Sequence, residues 1–265
     1  MMSPSRNRVP AALPWPAWWL FLLWCVPAAQ AARPTAPWPP VYAHSLEGAV
    51  YPDSPVLQPR PGGGARAFSL AVAMALLQRL GRPAPVSVVP LARALRVLDG
   101  PQPALLVGLF RTPAREQRYQ WLVPLYRDQL VFYQARQRPA AASSWQQARD
   151  VPVCVVPGSA PEEYALQAGM QRIERNNGYA LCLRMLMAGR VQLAPLLAGD
   201  FPAKLAEAGL PAEAVQPSAL PPLPLESYLA ASRWTPAAEV RAWRQAWQQL
   251  QASDDYRQLR QRYWP

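Results

Sequence analysis

Short runs that are apolar on both faces alternate with helical stretches along this chain, and no other feature limits its fold as much. VSVV (Val86 to Val89), a short helix in LARALRVL stopped by Asp99-Gly100, and ALLVGLF (Ala104 to Phe110) follow one another. Strands buried on both faces belong to parallel sheets covered by helices on two sides. Ahead of them, Phe68 to Leu80 reads as a helix apolar on most faces and closed by Gly81. The pattern returns later: VPVCVV (Val151 to Val156) as a strand, Ser159 to Ala168 and Tyr179 to Met187 as helices, VQLA (Val191 to Ala194) as a strand, and Pro202 to Ala208 as a helix. Between the two series, DQLVFYQ (Asp128 to Gln134) is a β-rich segment suited to cross from one lobe to another. The proline-rich Pro217 to Ser232 is suited to bring the chain back, and a final helix starts at Thr235-Pro236. The expectation is an α/β protein of two lobes.

The N-terminus reads as a secretory signal. Arg6 and Arg8 precede the apolar WWLFLLWCV, and Ala29-Gln30-Ala31 is a small-residue cleavage site. The apolar run is shorter than the roughly 20 residues of a spanning helix, and Trp24 before Cys25 does not suit lipidation. Removing the signal leaves about 234 residues and lowers the formal charge from +11 to +9. The expected division is a signal over 1–31, a Pro-rich leader over 32–45 and a first lobe over 46–127, beginning with LEGAVY (Leu46 to Tyr51) as a strand. A second lobe over 128–222 has the crossings at its ends, and 223–265 returns to the first lobe.

The basic balance does not point to nucleic acid. Lys204 is the only lysine, and the arginines are spread along the chain instead of being concentrated on one element. Cys154 and Cys182 are the cysteines of the mature chain; a disulfide and two buried thiols are both open readings. His44 is the single histidine, so neither a zinc site nor a histidine-based triad is expected, and Gly62 to Gly64 lacks the following residues of a phosphate loop. No cofactor is expected.

Several fragments, in order and spacing, resemble the bacterial extracellular solute-binding proteins of family 3, the amino-acid-type periplasmic binding proteins. They are PLARALRVLDG (Pro90 to Gly100), RTPAREQRYQWLVPLY (Arg111 to Tyr126), VVPGS (Val155 to Ser159), LRMLMAGRVQL (Leu183 to Leu193) and DDYRQLRQRYW (Asp254 to Trp264). The resemblance implies the type II two-lobe fold, each lobe a mostly parallel sheet flanked by helices, with two crossing strands as hinge. It also implies a periplasmic, monomeric, non-enzymatic protein that holds a small polar or anionic solute in its cleft and has a membrane permease as partner for ABC-type uptake. A ligand-sensing or partner-binding ectodomain, and an enzyme on the same scaffold using Asp53, Glu116 or Glu174, are the alternatives.

By the resemblance, Arg115 sits where the family grips a ligand carboxylate, a task for which a guanidinium offers paired donors. Gly158 and Ser159 open a helix after a strand, where free N–H groups favour an anion. Ser159-Ala160-Pro161-Glu162 also reads as a capping box that uses the serine hydroxyl internally. Tyr51, Asp53 and Phe110 lie at or after strand ends and are candidates for the cleft floor; core packing for the aromatics and a turn for Asp53 are the alternatives. The family's acid after Gly189-Arg190 is replaced by Gln192, and no acid follows until Asp200. The anchor for a ligand amine is therefore in doubt.

Overall fold

The computed structural model describes residues 38–82 and 85–264, so the expected signal and the first six residues of the leader, 32–37, lie outside the described residues. From Trp38 onward the chain forms one compact unit. Three parallel strands begin it: β1 (Val41–Ala43), β2 (Val86–Val88) and β3 (Leu105–Arg111), with β1 between the other two. Val41 is paired with Val86 on one side and Leu105 on the other.

β1 falls inside the stretch expected as an irregular leader, and Leu46 to Tyr51, expected as the first strand, forms turns with one isolated bridge, Val50 to Pro59. The correction has a physical cause. A three-residue strand next to prolines carries no readable period, yet Val41 and Ala43 are fully buried because the sheet flanks them on both sides. In LEGAVY, by contrast, Gly48 takes a left-handed φ of 75° and bends the chain.

Helix α1 (Gly64–Arg79) begins four residues before the expected start, and Phe68, Leu70, Val72, Leu76 and Leu77 are buried around nearly its whole circumference. Such a helix needs cover on every side. The sheet supplies one side; α6 (Ala237–Gln251) and α7 (Asp254–Tyr263) supply another, with Phe68 in edge contact with Tyr256 at 5.8 Å. The amphipathic α2 (Leu91–Asp99) buries Ala94 and Leu98 against β3.

The second lobe is built on β5 (Val153–Val155) parallel to β6 (Ile173–Arg175), with α3 (Ala160–Gln167), α4 (Tyr179–Met187) and α5 (Phe201–Ala208) beside β7 (Ala194–Leu197) and β8 (Val215–Pro217). β7 starts three residues later than the expected VQLA and shares only Ala194 with it, while Leu193 makes an isolated bridge to Val153. Pro195 disguises the strand in the sequence, since proline lacks a ladder donor. Here β7 ends the strand order, where that loss is tolerated.

Two long strands cross between the lobes. β4 (Tyr119–Ala135) pairs antiparallel with β9 (Leu223–Ser232) from Tyr119 to Leu130, then with β7 and β8 from Leu130 to Ala135. β9 also pairs antiparallel with β3, so the large sheet is mixed, while β5 and β6 form a separate parallel pair.

Cys154 of β5 and Cys182 of α4 form a disulfide, which settles the open reading, and both residues are fully buried. The sequence separation of 28 closes a loop for which chain entropy predicts a stabilisation of about 3 to 4 kcal/mol. Urea unfolding of a Cys154→Ala/Cys182→Ala variant is expected to show a loss of roughly that size. An unchanged midpoint with an unchanged slope would count against this tie.

Candidate functional site

β3 ends at Arg111, and a single 3-10 turn, Pro113–Arg115, folds the chain back so that Arg115 points into the molecule. Only 2 % of Arg115 is exposed. Its Nε donates to Glu163 Oε1 at 2.9 Å, Nη1 to the Phe110 carbonyl at 3.1 Å and Nη2 to the Gly158 carbonyl at 2.8 Å. Thr112 donates its hydroxyl proton to the other oxygen of Glu163 at 2.6 Å. Glu163 lies in the first turn of α3, so a second-lobe carboxylate is held at both oxygens by first-lobe donors. The geometry is that of a guanidinium and a hydroxyl binding a carboxylate, and the carboxylate belongs to the protein.

The turn before α3 is likewise occupied from within. Ser159 Oγ accepts from the Glu162 N–H at 3.3 Å, while Glu162 Oε2 accepts from the N–H of Gly158, the residue before the N-cap, at 2.6 Å, a capping box displaced by one residue on its return bond. Arg175 donates to the remaining Glu162 oxygen at 2.6 Å. Phe110 is buried and makes an edge contact with Tyr126 at 5.7 Å; its contribution to the arginine is its carbonyl. Arg115, Phe110, Gly158 and Ser159 are thus brought together. Tyr51 and Asp53 are not: both stand exposed in the β1–α1 loop, and neither side chain makes a hydrogen bond among the described residues. Arg111 and Arg118 remain at the surface, paired with Glu116 and Asp99. Asp53, Glu116 and Glu174 are exposed and stand in separate elements, and no group of three or more metal-ligating side chains occurs among the described residues.

A second ion pair spans the lobes. Arg66, in the first turn of α1, donates through Nε to Asp200 Oδ1 at 3.0 Å and through Nη2 to Oδ2, and its Nη1 donates to the Ser45 carbonyl at 2.6 Å. Asp200 directly precedes α5. Beside the pair opens a cavity of about 520 Å3 whose lining includes Gly63, Arg66, Asp128, Asp200 and Lys204. Small-molecule sites typically occupy about 300 to 1,000 Å3. Burial pushes the Asp128 carboxyl above its usual range, against the opposing effect of the Gln129 and Gly199 N–H groups that donate to it.

Beneath Arg66 a space of only about 20 Å3 remains between His44, Ser69, Phe110 and Tyr126. That is room for about one water. His44 Nε2 contacts the Gly108 carbonyl at 3.3 Å and Nδ1 the Ser45 hydroxyl at 3.0 Å, which suits a neutral ring donating from Nε2. Burial, and then the neighbouring Arg66 charge, lower its pKa to about 3.

Sequence reasoning missed Arg66, Thr112 and Glu163 as site residues, and it set Asp200 aside as too distant in sequence. Arg66 carried a signal as a charge in the first turn of a helix that is mainly apolar until Gln78-Arg79. Glu163 was legible only as a favourable charge in a first turn.

Two outcomes are expected. Replacing Arg115 by alanine leaves Glu163 Oε1 and two carbonyls without their donor and should destabilise the protein by about 3 kcal/mol, a magnitude typical of breaking a buried pair; a loss below about 0.5 kcal/mol, as at a surface position, would contradict the contact network. For His44 the folded pKa lies below the unfolded value, so its contribution is present above about pH 6.5 and is lost as pH falls toward about 3. A single proton bounds the slope at about 1.4 kcal/mol per pH unit. Unfolding of His44→Gln between pH 7 and pH 4 is expected to be flatter with pH than wild type, and parallel curves would remove this role.

The sequence matches no protein-family model, and no curated protein matches it. Solved structures do. A histidine kinase sensor domain with similarity to periplasmic binding proteins superposes with a TM-score of 0.67 at 16% identity, covering 84% of this chain and 94% of that one. An ancestral arginine-binding protein bound to arginine gives 0.63 at 15% identity over 85% and 97%. An amino acid ABC transporter substrate-binding protein from Streptococcus pneumoniae bound to L-arginine gives 0.58 at 16% over 83% and 92%. At such identities the likeness is one of architecture, and it shows that the chain has the type II periplasmic binding protein fold, two α/β lobes joined by crossing strands.

Proposed function

We propose that this chain is a periplasmic, non-enzymatic solute-binding protein that holds a small polar or anionic metabolite, amino-acid-like or carboxylate, between its lobes for ABC-type uptake. The observation that carries the reading is the ligand-sized cavity at the lobe junction, where Arg66 and Lys204 face Asp128 and Asp200. A wall that offers both signs of charge suits a solute with both an acceptor and a donor group. Arg115 joins this reading as a group whose surroundings are already arranged around a carboxylate. The structurally similar proteins with bound arginine support an amino-acid-like solute, and the expected signal supports the periplasm.

A second reading, a sensory or partner-binding ectodomain without a transport role, is favoured by one specific observation. Each guanidinium nitrogen of Arg115 already has a protein partner, three of its five N–H groups are used and only 2 % of the residue is exposed, so little of it faces a solute. The likeness to a kinase sensor domain agrees with it.

A thermal-shift screen of amino acids and organic acids separates the two. A solute bound by the native state alone raises stability by about 2.7 kcal/mol at a concentration of one hundred times Kd. The solute-binding reading expects at least one such compound, with its effect reduced tenfold or more in apparent affinity by Arg66→Gln. A library that never raises Tm up to millimolar concentration would sink it in favour of the ectodomain.

A further inference from the structure

We propose that Glu163 is a built-in occupant of the carboxylate subsite, so that the two lobes close on each other with no solute bound. Both oxygens of this second-lobe carboxylate are taken by first-lobe donors, Arg115 Nε and the Thr112 hydroxyl, at 2.9 and 2.6 Å. Arg115 reaches the second lobe a second time at the Gly158 carbonyl, 2.8 Å away. The contact is buried on the arginine side, with 2 % exposure, and 18 % on the glutamate side, so solvent screens it far less than a surface pair. Arg66 and Asp200 repeat the arrangement with the same polarity, arginine from the first lobe and carboxylate from the second.

The consequence follows from population shift. A solute can favour the closed form only by interactions that the open form lacks. Where the protein supplies the carboxylate itself, closure does not wait for one from outside. Glu163 also becomes a specificity-determining residue, because a solute carboxylate can reach Arg115 only by displacing it. This closure does not depend on which solute, if any, enters the cavity beside Arg66.

The test is small-angle X-ray scattering on the mature chain, freed of any solute by unfolding in urea and refolding. The solute-free wild type is expected to scatter as the closed structure does, and Glu163→Gln to have a larger radius of gyration, larger still when combined with Asp200→Asn. Circular dichroism checks that each variant is folded; should the glutamine variant fail to fold, Thr112→Val, which removes one donor and no charge, is read in its place and should also expand. A solute-free wild type with a radius above that of the closed structure overturns the proposal. So does a folded Glu163 or Thr112 variant as compact as wild type. A protein that is closed without solute yet binds nothing in the thermal-shift screen leaves this inference standing and removes the solute-binding reading; an open solute-free protein that binds a solute does the reverse.

Discussion

A guanidinium taken out of water must have its donors satisfied, and at Arg115 that requirement draws both lobes to one point. Its acceptors are a first-lobe carbonyl at Phe110, a second-lobe carbonyl at Gly158 and a second-lobe carboxylate at Glu163. Leaving such a charge without partners costs several kcal/mol, so the turn at Pro113–Arg115, the φ of 72° at Gly158 and the start of α3 are mutually constrained. Gly158 has little room to vary: besides its left-handed backbone, a Cβ there would lie 3.3 Å from Leu95. The capping box of Ser159 and Glu162 then fixes the direction of α3, and with it the position of Glu163.

The same principle explains how an arginine-rich chain with one lysine holds its charges. Arg66 is bound by Asp200 and the Ser45 carbonyl, and Arg82 is paired with Glu239 while its guanidinium lies over Trp38 at 3.7 Å. Planar forks with several fixed donors suit these enclosed positions better than an ammonium would. Around the cleft the aromatic chain Phe110, Tyr126, Trp264 and Phe68 links the β3 end to α1 and the C-terminal helices. The position of the cleft wall therefore depends on residues far along the sequence.

Much of the architecture was legible because its signals are local. β2, β3, β5, α2 and α4 follow from apolar runs bounded by Pro, Gly or Asp, and the crossing role of Asp128 to Gln134 follows from its lying between two strand–helix series. β1 and β7 were not legible in place. The first is three residues long and is defined by its neighbours; the second contains Pro195, and its register depends on pairing with β4. At the site, the family resemblance pointed to Arg115 and the Gly158 turn, but what fills the arginine is a contact across 48 residues of sequence. Asp200 likewise stands 134 residues from Arg66, and neither distance leaves a periodic or motif signal. Tyr51 and Asp53 were chosen for following a strand that turns out to be a loop, and they lie at the surface as a result.

The central claim is that Arg115 and Glu163 are energetically coupled across the lobes. A double-mutant cycle by urea unfolding, using Arg115→Gln, Glu163→Gln and the combination, measures that coupling directly. The account predicts a coupling energy of about 1 to 3 kcal/mol, as for residues in one buried network. Effects that simply add, within about 0.3 to 0.5 kcal/mol, would contradict it.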